Sequence, residues 1–184
     1  DTPPQVKDQL NARAMPPIVG RVEFDHVSFA YRPRSAAEGG DDCVLHDVNL
    51  DIEPGQTIAL IGPTGAGKTS MANLVARLYD VTAGTVRIDG IDVREVAQRS
   101  LRRQMGLVPQ EPFLFSGTIS DNIRFGFADA PSSALEQAAR SANAHEFIVA
   151  LPDEYDTVIQ EGGVNLSVGQ RQLICIARAV LANP

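Results

Sequence analysis

The chain has 184 residues, 43% hydrophobic and 21% charged, with a net charge of −7 at pH 7. That length and balance predict one domain with a core of its own, and exclude both wholesale disorder and a pair of ordinary domains. The acidity excludes a generic nucleic-acid binder, which needs a positive field for phosphate backbones; a local amide-lined pocket for a small polyanion is still open.

Residues Asp1–Pro17 are polar and hold two Pro-Pro pairs, so residues 1–19 read as a linker or arm. The chain starts without Met and without a signal-peptide apolar region, which predicts a fragment or processed piece. From Arg21, Val22 and Phe24 alternate with polar residues, and after His26 the pattern resumes at Val27 and Phe29. This predicts a half-buried strand with a slip between Asp25 and Val27. Ser35–Asp42 reads as a loop, and Val44–Ile52 as a second strand; the two can pair antiparallel, which the pattern does not determine. After the Glu53-Pro54-Gly55 turn, Thr57–Ile61 is a continuous apolar run of the kind found in strands covered on both faces. Thr85–Ile88 and Met105–Val108 are further short strands. Met71, Leu74, Val75 and Leu78 predict a helix, as do Leu135, Ala138, Ala139 and Ala142, and then Leu173, Ile176, Ala177, Val180 and Leu181.

Cys43 and Cys175 make no CxxC pair, which favours a reducing compartment. His26, His46 and His145 have no metal-ligand spacing, and no apolar run approaches the ~20 residues that cross a bilayer.

Gly62-Pro63-Thr64-Gly65-Ala66-Gly67-Lys68-Thr69 fits G-x-x-x-x-G-K-[ST], followed by Ser70. A chance match in a chain this long is on the order of 0.6% at ordinary residue frequencies. The flanking strand and helix are the context the motif requires. Glycines at 62, 65 and 67 allow unusual backbone angles and close approach of an anion, and the helix beginning near Lys68 aims its positive end at the same point. Lys68 supplies a point charge for β- and γ-phosphates, and the Thr69 hydroxyl a ligand for Mg²⁺. The loop predicts a P-loop NTPase without choosing among nucleotide kinases, GTPases and transport ATPases.

Asn165-Leu-Ser-Val-Gly-Gln170 resembles the ABC ATPase signature LSGGQ, with Val168 in place of a glycine. Val108-Pro109-Gln110 resembles the Q-loop, and Tyr31 sits where ABC ATPases carry the aromatic that stacks on adenine. Phe113–Gly126, Gln160–Gly163 and the join at Gly20 look like exporter-type ABC domains. The resemblance, from about Gly20 to Pro184, implies an α/β fold: a mostly parallel P-loop sheet with helices, an N-terminal antiparallel β part, and a helical signature subdomain at about 111–170 within a domain spanning 20–184. It implies ATP and Mg²⁺ as cofactors. ATP would be held by Tyr31, Gly62, Pro63, Thr64, Gly65, Ala66, Gly67, Lys68, Thr69 and Ser70, and from a partner chain by Ser167, Val168, Gly169 and Gln170. Thr69 and Gln110 would face the metal, and Lys68 and Gln110 would take part in hydrolysis.

The same resemblance implies a head-to-tail pair of nucleotide-binding domains, homo- or heterodimeric. It further implies a transmembrane domain of the same transporter as partner, no nucleic acid, and a place on the cytoplasmic side of the cell membrane. The family's later strand, ending in a Walker B Asp and a catalytic Glu, would begin where this chain stops, so the C-terminal part is expected to be missing and the fragment to bind nucleotide weakly and hydrolyse it negligibly. Asp153-Glu154 is no substitute: it precedes the signature and follows Pro152. The alternative reading is a degenerate, non-hydrolytic regulatory half-site of a heterodimeric transporter, hinted at by Val168.

Overall fold

A computed structural model describes residues 6–31, 42–160 and 163–184. The Pro3-Pro4 pair, the loop expected at Ser35–Asp42 (apart from Asp42) and Glu161-Gly162 lie outside the described residues. The chain divides into two compact units, Asp1–Arg102 and Arg103–Pro184.

In the first unit, β1 (Val22–Phe29), β2 (Leu45–Ile52), β3 (Ala83–Ile88) and β4 (Ile91–Asp92) form an antiparallel sheet in the order β2-β1-β3-β4. The slip read from the sequence is a β-bulge. Between Phe24 and Val27, β1 advances three residues while β2 advances two, from Leu50 to Val48. His26 takes φ +50° to absorb the extra residue. The bulge resets the phase of the strand, so that Phe24, Val27 and Phe29 are all buried while His26 is exposed. Across the sheet, Gly84 (φ +78°) is the counterpart: a Cβ there would stand 2.2 Å from the His26 carbonyl oxygen. Asp89-Gly90, both at positive φ, makes the tight turn between β3 and β4. The Asp89 carboxylate accepts the backbone N–H groups of Val19, Gly20 and Arg21, which fixes the entry to β1. Residues 6–19, read as an arm, are tied in: Met15 is buried, and Arg13 forms a parallel bridge with Val96.

The expected helix after the glycine-rich loop is α1 (Lys68–Val75), which buries Ser70 and Leu74; Leu78 lies beyond its end. A short α2 (Gln98–Arg102) closes the unit on buried Leu101.

The second unit is helical around a small β5 (Gly117–Thr118)/β6 (Val158–Ile159) pair. Helices α3 (Ile119–Ile123), α4 (Ser132–Ser141), α5 (His145–Val149) and α6 (Val168–Leu181) enclose a core of Ile119, Ile123, Leu135, Ala139, Ile148 and Ile174 with their neighbours. The α4 stripe is the one the sequence predicts. On α6 the fully buried positions are Ile174, Cys175 and Ala177; Leu173, Ile176 and Leu181 pack at the rim, and Val180 is exposed.

The α/β class, the antiparallel N-terminal part and the helical part are thus as expected, but the parallel strands are not among the paired ones. Thr57–Ile61 and Met105–Val108 have no ladder partner among the described residues, and Ile58, Leu60, Ile61, Leu107 and Val108 are exposed. An apolar run encodes the wish to be covered; a strand exists only where a neighbour supplies the ladder.

Two outcomes test this account of β1. Gly84→Ala destabilises the fold by ~2 kcal/mol or more, through left-handed strain and collision with the His26 backbone, read as a lower denaturation midpoint. The His26 Nδ1–H donates to Asp47 Oδ1 at 2.6 Å, and this hydrogen bond holds the imidazole pKa above its ordinary value. Its folded-state pKa exceeds the unfolded one, so the stabilisation is complete below about pH 6.5 and is lost as pH rises through the folded value. In an NMR titration, Asp47→Asn returns His26 toward the ordinary value.

Candidate functional site

The glycine-rich loop is built from backbone angles. Gly65 (φ +86°) and Gly67 (φ +83°) are left-handed, as expected, while Gly62 is not; it is glycine for closeness, since a Cβ there would meet the Ala66 Cβ at 3.1 Å. Gly67 is doubly constrained, because its Cβ would lie 2.5 Å from Leu45 Cδ2 and 3.2 Å from the Val44 carbonyl oxygen. Gly67 is also the residue at which α1 starts, and it has no side chain to cap the helix. The first N–H groups of α1 therefore lack the usual capping oxygen and remain available to an anion.

Lys68 folds back over this turn. Its Nζ donates to the carbonyl oxygens of Gly62 and Pro63, 2.8 Å each. Those bonds use two of the three ammonium hydrogens and hold the charge over the loop. Pro63, Thr64, Gly65 and Ala66 are exposed, and so is Thr69, whose hydroxyl is the natural metal ligand of the set. Ser70 behaves differently: it is buried, and its hydroxyl shares a 2.8 Å hydrogen bond with the Tyr31 hydroxyl.

Tyr31 continues the face of β1 that the bulge selects, in phase with Val27 and Phe29. Its ring meets Phe29 edge-on at 4.8 Å and Tyr79 at 5.0 Å, and remains 40% exposed. Tyr79 was not expected from the sequence. It lies just past the helical stripe and carries no motif, so only the fold reveals that it props Tyr31.

In the second unit, α6 starts inside the signature-like segment. Ser167 is the N-cap, and Ser167 and Gln170 form a reciprocal capping box: the Gln170 N–H donates to Ser167 Oγ at 3.2 Å and the Ser167 N–H to Gln170 Oε1 at 2.8 Å. Val168 is 63% exposed, and a Cβ at Gly169 would meet only the Ser167 hydroxyl oxygen, at 4.0 Å. Gln110 is exposed just after the 105–109 segment.

Three side chains three residues apart along α6 grip the stretch that carries Gln110. Gln172 Nε2 donates to the Pro109 carbonyl at 3.2 Å, Cys175 Sγ approaches the Phe113 carbonyl at 3.7 Å, and Arg178 Nη1 donates to the same oxygen at 3.3 Å. Arg178 also donates to the Asn122 carbonyl and to Asn122 Oδ1, and lies over the Phe115 and Phe125 rings, 5.5 Å from each centroid. Burial lowers the Arg178 guanidinium and raises the Cys175 thiol from their ordinary values, so Cys175 stays protonated and serves packing. Asn122, fully buried, returns its amide to the carbonyls of Phe115 and Thr118 and accepts the Phe115 N–H. These residues were not singled out from the sequence; the only available signal was the i, i+3, i+6 spacing of 172, 175 and 178. Asp153 and Glu154 lie in and beside a short helical turn, consistent with their rejection as an acidic pair at a strand end.

A family profile described as "ABC transporter" matches residues 45–184. The chain is 47% identical over 97% of its length to an uncharacterized ABC transporter ATP-binding protein of Bacillus subtilis, and 46% identical over its full length to an ATP-dependent lipid A-core flippase of Syntrophus aciditrophicus. A bacterial Atm1-family ABC exporter solved with ATP bound superposes with a TM-score of 0.90 and 39% identity over the whole chain. The chain spans 28%, 29% and 31% of those three proteins, respectively. With the matched profile covering three quarters of its residues and relatives this similar over nearly all of it, the chain belongs to the ABC transporter family, in its ATP-binding part.

Proposed function

We propose that this chain is the ATP-binding region of an exporter-type ABC transporter, and that it couples ATP binding and hydrolysis to transport across a membrane. The observation that carries the reading is the turn at Gly65–Gly67, which opens α1 without a side-chain cap and has the Lys68 ammonium folded over it. Amides, helix dipole and ammonium converge on one exposed spot, which is the donor set a triphosphate needs. The carbonyl partners of Lys68 pre-position the charge, so little side-chain entropy is lost when a phosphate oxygen takes the third hydrogen. Tyr31, propped by Phe29 and Tyr79, offers an exposed aromatic ring for the adenine.

The Thr69 hydroxyl, exposed beside the loop, would hold Mg²⁺ together with the nucleotide's own phosphate oxygens. The ion would neutralise charge developing on the transferred phosphoryl group. The α6 N-terminus is a second donor cluster. Its Ser167 hydroxyl and the N–H groups of Val168 and Gly169 would close on the γ-phosphate held by another copy or a homologous domain, in a head-to-tail pair. Gly169 leaves that approach open, and Val168, at the exposed end of the helix, need not block it. No described helix is long and apolar enough to cross a membrane, so transport would depend on a membrane domain; two relatives are named as ATP-binding/permease proteins for multidrug or fatty acid export or transport.

In the intact protein that carries this chain, Lys68→Ala removes a charge-assisted phosphate contact worth ~1.5–3 kcal/mol, which weakens ATP binding about ten- to hundredfold. Titration calorimetry measures it; an unchanged dissociation constant would falsify the assigned pocket.

A further inference from the structure

The opposite end of α1 carries a feature that phosphate binding does not use. Arg77 follows the helix with φ +48°, and its side chain is 1% exposed. A buried guanidinium is tolerated only when its donors are paired. Here Nε donates to Asp80 Oδ1 at 3.1 Å, Nη1 to the Val96 carbonyl at 2.8 Å and to Asp8 Oδ1 at 3.3 Å, and Nη2 to the Lys7 carbonyl at 3.0 Å. Two of these four acceptors belong to the segment before β1. Asp8 also accepts the Gln98 N–H at 3.1 Å, and the segment then runs beside 95–100, with Arg13 N–H on the Glu95 carbonyl, Ala97 N–H on the Arg13 carbonyl and Met15 N–H on Ser100 Oγ. From the other side, Arg102 donates to the carbonyls of Ala76 and Arg77 and so holds the chain where α1 ends.

The consequence is mechanical. Helix α1 has eight residues, about 12 Å of rise, and its two ends are the phosphate loop and Arg77. A helix this short, clamped at its C-terminal end by two guanidinium groups, cannot tilt at the loop without moving what it is clamped to. The arm is clamped by a buried charge, which would be left partly unpaired if the arm let go.

We propose that Arg77 is a positioning residue that couples occupancy of the phosphate loop to the segment Lys7–Met15, so that α1 and the arm shift as one when nucleotide binds and strain on the arm feeds back on the loop. The coupling rests on the nucleotide reading of the loop given above. It makes the arm a transmission element rather than a passive linker, and assigns Asp8 as the partner through which it grips.

The test is hydrogen–deuterium exchange on the intact protein, with and without adenylyl imidodiphosphate and magnesium, following peptides over 6–16 and 62–75. The wild type should slow exchange severalfold in both. Asp8→Ala removes the oxygen that accepts from Arg77 Nη1 and from the Gln98 N–H, while Arg77 keeps its Asp80, Val96 and Lys7 acceptors and the protein folds; it should keep the loop response and weaken the arm response. Arg77→Lys, which keeps the charge without the fork, should do the same. A purely structural rivet would lower stability in these variants and leave the arm's response to nucleotide intact. If the loop responds while the arm is silent in the wild type, or the arm responds equally in all three proteins, the coupling is overturned and the nucleotide site stands. Silence at both peptides overturns the site and the coupling together.

Discussion

At Gly67 the chain turns in a way open to no other residue. The left-handed φ and the nearness of Leu45 and Val44 both exclude a side chain. Because the turn is glycine, α1 begins without the capping oxygen that Ser, Thr or Asp would supply to its first amides. Lys68 then adds its charge over the same turn by leaning on the Gly62 and Pro63 carbonyls. The rest of the first unit can be understood as the support of this one turn. β2 supplies the wall that Gly67 must clear, β1 carries Tyr31 to the flank of α1, and the Arg77 and Arg102 clamps hold the far end of the helix.

Tyr31 illustrates how a local irregularity serves the site. Without the bulge at His26, the strict alternation of β1 would carry Phe24 and Tyr31 to opposite faces of the sheet. The extra residue brings Phe24, Val27, Phe29 and Tyr31 to one side, and Gly84 makes room for it on the neighbouring strand. The hydroxyl of Tyr31 then reaches Ser70, one residue beyond the motif's Thr69. In the second unit the same economy falls to α6: its first turn presents the Ser167 cap, and its Gln172–Cys175–Arg178 face holds the segment that bears Gln110.

Much of this was legible in the sequence where the signal is local. The glycine spacing of 62–69 and the broken alternation around His26 each follow from the chemistry of a few neighbouring residues. What was not legible depends on residues distant in sequence. Thr57–Ile61 reads as a strand covered on both faces and Met105–Val108 as a short strand, but strand status belongs to a pair, and neither run has a ladder among the described residues. The role of Gly62 was misread for a related reason: its need for closeness to Ala66 cannot be told from a need for positive φ by counting glycines. Tyr79, Asn122, Arg77 and Arg178 matter through carbonyls and rings contributed by remote segments, and no spacing rule points to those partners.

The central claim is that the amides of Gly65–Thr69 and the Lys68 ammonium grip a triphosphate. A crystal structure of the intact protein with a slowly hydrolysed ATP analogue tests it directly. The account requires β- and γ-phosphate oxygens at hydrogen-bond distance from those amides and from Lys68 Nζ, with the base against the Tyr31 ring. Phosphates bound elsewhere, with Lys68 still bonded only to Gly62 and Pro63, would contradict it.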